Sequence, residues 1–210
     1  MAHAFRRRAD GSLACRLDSE EKAIISQVAQ ETADLIRADL GIDRDPEVLR
    51  KAAASEDPLR RLEAEFAGQD AREPADSAVK RLFPAASEDE TLAGEFRRFG
   101  QQELADGKLT DLTAVISLLD ASGPGHGEVV LDDEQALSML RALNDVRIVL
   151  ADRLDLQRDG DFDTVRMLQQ IGERVEEASS EDSDQVGSDI VIAVYELLSW
   201  LQESLLRALD

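Results

Sequence analysis

The sequence predicts a mainly α-helical fold, a helical bundle carrying a small N-terminal β-hairpin. Three observations predict it. From Leu140 to Leu154, apolar residues recur at helical spacing. The closing stretch from Asp189 is the most apolar in the chain and keeps the same period. Near the start, Asp10-Gly11 sits between two short segments of alternating character, the signature of a hairpin. A short strand near 128–131 can extend that hairpin. The expected organisation is a single domain over 1–210, with the hairpin at 3–17 and a helical body at 19–154. A variable excursion at 42–76 interrupts the body. An acidic excursion at 155–189 and a C-terminal helix at 189–209 follow.

Composition narrows the classes. Of 210 residues, 43% are hydrophobic and only 4% aromatic, so the core must be built from Leu, Ala, Val and Ile. The net charge of −21 repels phosphate backbones, so direct high-affinity binding of nucleic acid is not expected. No apolar run reaches the roughly 18 residues of a membrane span. No apolar stretch follows the N-terminal arginines, so no signal peptide is expected and the cytoplasm is the expected location. Cys15 is the sole cysteine, which excludes an intramolecular disulfide.

The hairpin admits two registers. A two-residue loop would mix arginines into the apolar row. A three-residue loop, with Gly11 in the left-handed bulge position, pairs Phe5 with Cys15 and Arg7 with Leu13. That register gathers Phe5, Leu13, Cys15 and Leu17 on one face and Arg6, Arg8 and Arg16 on the other, and it is preferred. The arginine face reads either as solvated local charge balance or as a docking surface for an acidic partner.

Asp18 or Ser19 can cap the first helix, whose stripe is Ile24, Val28, Leu35 and Ile36 with Ala29 and Ala38, and Gly41 ends it. Between Ile42 and Asp76 the pattern weakens, with two alanine-rich pieces around 47–54 and 58–67. Ser77 to Pro84 predicts a short helix stopped by proline. Two helices should follow, one through Leu92, Phe96 and Phe99 and one over Leu109–Leu119, with a break at Gly107. Such a pair can imitate a helix-turn-helix, but LTDLTAVISLLD carries no Arg, Lys, Asn or Gln to read base edges. SGPGHG is a loop holding His126. The organising helix opens at Asp132. Asn144 and Arg147 lie on its stripe and need partners, since a buried unsatisfied amide or guanidinium is costly. The C-terminal helix is the expected source, because Asp145 lies one residue off the stripe. In the acidic excursion eleven carboxylates face three arginines. RDGDFDT offers carboxylates at calcium-loop positions, yet neither register supplies the closing glutamate. A helix is expected over 162–175. The final helix has Ile190, Val194, Leu197, Leu201 and Leu205 as its stripe, widened by Val191, Leu198 and Trp200.

No phosphate-cradling loop, metal-ligand cluster or nucleophile elbow is present. Neither enzyme activity nor a cofactor or metal is expected, and no catalytic residues are assigned.

FRRR, RLFPAAS, EFRRF, LRALNDVRIVLADRL and YELLSWLQESLLRAL, in that order, resemble an actinobacterial family of unknown-function domains. Some of its members are known as the oxidative-stress transcriptional regulator AosR. The resemblance spans the hairpin, the middle helices and both long C-terminal helices, and leaves out 42–76 and 155–189. It implies a cytosolic regulator acting under redox stress through a sigma factor or RNA polymerase. An adaptor role in proteolysis or sulfur metabolism, or a sequence-specific DNA-binding regulator, are the alternatives. The charge favours the protein-binding form, with Arg6, Arg8 and Arg16 as contact residues and Asn144 and Arg147 as architectural ones. A redox role would rest on Cys15 alone, through an intermolecular or mixed disulfide.

Overall fold

The computed structural model describes residues 3–42, 71–123, 127–156 and 183–210. In chain order these form β1 (His3–Arg7), β2 (Leu13–Leu17), α1 (Ser19–Leu40), α2 (Ser77–Leu82), α3 (Glu90–Ala121), β3 (Gly127–Leu131), α4 (Asp133–Arg153) and α5 (Ser183–Leu209). The fold is mainly helical, with one antiparallel sheet in the order β1-β2-β3, so the third strand does extend the hairpin. The expected pieces at 47–54 and 58–67, the RDGDFDT stretch, the helix over 162–175 and His126 all lie outside the described residues.

At its tip the hairpin has the three-residue register. Arg7 faces Leu13 and Arg6 faces Ala14, and Gly11 takes φ +89° while its N–H donates to the Arg8 carbonyl at 3.0 Å. Further along the register shifts, because His3 faces Arg16. Ala4 and Phe5 therefore stand against Cys15 as a bulge, in place of the simple Phe5–Cys15 pair. The bulge has a use. It frees the Phe5 N–H, which donates to Ser204 Oγ of α5 at 3.3 Å, and that hydroxyl donates in turn to the Leu201 carbonyl at 2.9 Å. An edge strand is thus covered by a helix instead of being left open.

Phe5, Leu13, Cys15, Leu17, Val129 and Leu131 form the buried face of the sheet. Arg7 shares that side by alternation and turns its guanidinium to the end of α5. Nε donates to the Ala208 carbonyl at 3.2 Å and Nη2 to the Leu209 carbonyl at 3.3 Å. Those carbonyls lack intrahelical partners, and the negative end of the helix dipole favours a cation there.

Helix α1 starts with a reciprocal capping box. Asp18 Oδ1 accepts from the Glu21 N–H and Glu21 Oε2 accepts from the Asp18 N–H, both at 2.9 Å. Gly41 closes the helix at φ +67°. Its buried stripe is Ile25, Ala29, Ala33, Ile36 and Leu40, which keeps Ala29 and Ile36 of the expected set, while Val28 and Leu35 are half-buried and Ile24 and Ala38 are exposed. Two polar residues share the buried side. Lys22 is 6% exposed and donates to the Gly123 carbonyl at 3.0 Å, while Thr32 bonds the Val28 carbonyl. Gly127 makes room for that ammonium, since a Cβ there would stand 2.5 Å from Lys22 Nζ.

The two helices expected around Gly107 are one. α3 runs unbroken for 32 residues, and Gly94, Gly100 and Gly107 all lie inside it. A glycine in a helix interior costs only about 1 kcal/mol relative to alanine, which packing against α1 and α4 offsets. No helix-turn-helix therefore exists in this region.

Helix α4 is the hub, in contact with α1, α2, α3, α5 and β3. Its buried residues (Ala136, Met139, Ala142, Leu143, Val146, Val149 and Ala151) accordingly spread around the helix, whereas Leu140 and Leu154 are half-buried. Asp76 caps α2 by accepting from the Ala78 and Val79 N–H groups, and Arg153 of α4 donates to its other oxygen at 2.8 Å. Partial burial opposes ionisation, but Arg153 and the two amides hold the Asp76 carboxyl below its ordinary value. Helix α5 begins six residues before the expected Asp189, and its core contacts are Ile192, Val194, Leu198, Leu201 and Leu205. Ile190 and Trp200 face outward, against expectation.

Arg7→Ala is expected to destabilise the protein by about 1–2 kcal/mol, since it strips two carbonyl partners and a dipole charge from α5. Arg6→Ala, on the opposite face, should stay within about 0.5 kcal/mol of wild type. Urea unfolding of both variants checks this, and equal midpoints would refute the capping role.

Candidate functional site

Strand alternation puts Arg6, Arg8 and Arg16 together on the solvent side of the sheet. With Ala4, Ala14 and Glu128 they line a shallow pocket of about 460 Å³. Arg8 pairs with Glu128 on β3, and Arg16 lies directly across from the same residue in the strand register. Arg6 and Arg16 are exposed and make no ion pair among the described residues. Of the three guanidinium groups only that of Arg8 is paired among the described residues, on a chain of net charge −21. Ala14 lies among these arginines and is only 7% exposed although it belongs to the outer face.

Cys15 points the other way. It is 3% exposed and makes no disulfide. Burial, aided by the Glu128 and Glu21 carboxylates, pushes its thiol up to about 12. The thiol is therefore protonated at neutral pH, whereas the thiolate is the form that reacts with oxidants and disulfides. The thiol is thus buried under the sheet and held in its protonated form.

Arg147 and Asn144 diverge. Arg147 reaches α5, as its place on α4 suggests. Nε donates to Ser199 Oγ at 2.9 Å, Nη1 to Gln202 Oε1 at 2.6 Å and Nη2 to the Tyr195 hydroxyl at 3.3 Å. Its guanidinium also stands 5.2 Å from the centre of the Tyr195 ring. Asn144 does not touch α5. It is exposed and lines a cleft of about 840 Å³ between α3 and α4.

That cleft holds polar residues that the apolar periodicity passed over. Lys108 Nζ donates to Asp145 Oδ1 at 2.7 Å, with the aspartate side chain only 4% exposed. Arg141 grips Asp111 with two bonds, Nε to Oδ2 at 2.6 Å and Nη2 to Oδ1 at 2.9 Å. Burial raises the Asp145 carboxyl above its ordinary value, although Lys108 works against the shift. A bidentate partner raises Arg141. The available signal was the position of Asp145 itself. A carboxylate one residue off an apolar stripe is half-buried by geometry and so demands a cation from the facing helix. Among the described residues, no group of three or more His, Cys, Asp or Glu is placed to hold a metal ion, and no helix is long and apolar enough to cross a membrane.

Arg147→Leu should cost about 1–3 kcal/mol by leaving Ser199, Gln202 and Tyr195 without their donor, whereas Asn144→Leu should change stability by less than about 0.5 kcal/mol. Thermal melts of the pair test the asymmetry, and equal losses would place Asn144 back in the architecture.

No curated protein and no solved structure matches the chain. A family of domains of unknown function, DUF2017, matches residues 2–209, nearly the whole length. The chain therefore belongs to the DUF2017 family.

Proposed function

We propose that this protein is a non-enzymatic regulator that works by binding another protein, and that the arginine face of the sheet is a contact surface. One observation carries the reading. Arg6, Arg8 and Arg16 form a local basic surface on a strongly acidic molecule, and Glu128 offsets only one of their charges. Cationic side chains projecting from one face of a sheet suit an acidic protein segment, because the strands already fix the spacing of their attachment points before binding. The same field that attracts such a segment is swamped at longer range by the net negative charge, which counts against a polyanion such as DNA. The unbroken α3, with no helix-turn-helix, points the same way.

The family resemblance supplies the setting of the proposal, a transcriptional response to oxidative stress acting through a sigma factor or RNA polymerase in the cytoplasm. Within it, the burial of Cys15 argues that the redox signal reaches the protein through its partner.

Capture from host lysate with tagged protein tests both statements. Arg6→Ala, Arg8→Ala and Arg16→Ala combined should lose capture of the sigma factor or polymerase subunit by about tenfold or more at unchanged melting temperature. Undiminished capture would remove the arginine face from the interface. Cys15→Ser should capture as wild type does, with and without peroxide. A partner bound only after peroxide, and only by wild type, would restore the thiol as the sensor.

A further inference from the structure

The outer side of α3 carries an apolar face that no described residue covers. Leu92, Phe96 and Phe99 follow one another at four- and three-residue spacing and are 46%, 55% and 80% exposed. Single exposed hydrophobics are ordinary, but two phenylalanines and a leucine on one helical side form a patch. The patch leads into the cleft between α3 and α4. Gly100 and Gly107 lie along its course, and a Cβ at either would meet nothing within 4 Å. Leu104 on one wall is 47% exposed, and Leu140 on the other is half-buried. Bare backbone between apolar walls lets a further helix approach closely.

The unpaired charges around this groove are mainly negative. Glu103 lines the cleft, Glu95 and Asp106 fall beside the Phe96 and Phe99 side of the helix, and all three are exposed and make no ion pair among the described residues. The nearby cations are already engaged. Lys108 is held by Asp145, Arg141 by Asp111 and Arg97 by Glu73, while Arg98 stands over the Phe99 ring.

We propose that the Phe96–Phe99 face and the glycine-floored cleft together dock an amphipathic helical segment of a protein partner. Its apolar residues enter the groove and its basic residues meet the acidic rim. The rim disfavours a symmetric contact in which this groove meets the same groove of a second copy, since both faces would carry the same sign. The proposal shares with the reading above only the premise that the occupant is protein, and it uses a surface of opposite charge to the arginine face.

Fluorescence anisotropy with a synthetic helical peptide of leucine and lysine, its leucines at i, i+3, i+4 and i+7, tests the groove against a scrambled peptide of the same composition. Wild type should bind the amphipathic peptide at least about tenfold more tightly than the scrambled one. Gly100→Leu with Gly107→Leu should abolish that preference while the melting temperature holds or rises, since both changes fill the cleft and favour helix. Phe96→Ser with Phe99→Ser should abolish it too. The triple arginine variant should keep it, so failure of one surface is separable from failure of the other. Equal affinity of wild type for the two peptides, binding of neither, or a preference that survives the glycine substitutions would each overturn the proposal.

Discussion

The last helix is seated on the first strand, and the rest of the architecture depends on that contact. Phe5 and Arg7 of β1 meet Ser204, Ala208 and Leu209 of α5 across almost the whole chain. The entropy of closing so long a loop grows only logarithmically, about 0.6 kcal/mol per doubling of length, so the separation itself is a small penalty. What has to be matched is polar. The bulge leaves one amide without a strand partner, and the end of α5 leaves carbonyls without helical ones. Each is satisfied by the other element. The sheet then lies over the same core that α4 organises, and Arg147 fixes α5 to α4 from the other side through Ser199, Gln202 and Tyr195. α5 is held at its end by an arginine from the sheet and along its length by an arginine from the hub.

The contact between α3 and α4 uses a different device. Lys108 and Asp111 are three residues apart on α3, and Asp145 and Arg141 four apart on α4, so each pair falls on one helical side. The signs cross, with Lys108 on Asp145 and Arg141 on Asp111. Sliding one helix by a turn would bring like charges together and strand a buried carboxylate. Buried ion pairs often add little net stability over apolar residues of the same shape, but losing one partner costs several kcal/mol. That asymmetry suits a register lock. It also explains how a helix with three interior glycines keeps its alignment to its neighbour.

Much of this was legible in the residues. Asp10-Gly11 and the alternation around it gave the hairpin tip, Asp18 and Asp132 the capped helix starts, and Gly41 the end of α1. Errors came where polar groups take buried places. Apolar periodicity centred α1 on Ile24 because Lys22 and Thr32, both buried, do not count as apolar. It missed Asp145 for the same reason. α4 has neighbours on several sides, so no single stripe describes it, and Asn144 was drawn inward by a stripe that in truth runs beside the cleft. Gly107 looked like a break because propensity is local, while the packing that keeps α3 whole is not. Of the candidate contact residues, the grouping of Arg6, Arg8 and Arg16 followed from alternation alone. The role of Arg7 did not, since nothing in strand periodicity says where a distant helix ends.

Charge sorting connects the fold to the proposed activity. With 45 acidic and 24 basic side chains, the protein has few cations to place. Many are spent inside: Arg7 on α5, Arg147 on α5, Arg153 on Asp76, Lys108 and Arg141 in the α3–α4 contact. Arginines left unpaired in water on the outer sheet face therefore stand apart from the way this chain uses cations elsewhere. Arg6 and Arg16 make no ion pair among the described residues, and a surface pair such as Arg8 with Glu128 contributes little to stability. Phe99, largely in water on α3, is the apolar counterpart of the same reasoning. In both places the described residues leave ungained the stability that pairing or burial would give, and that is the physical argument for the two contact surfaces proposed above.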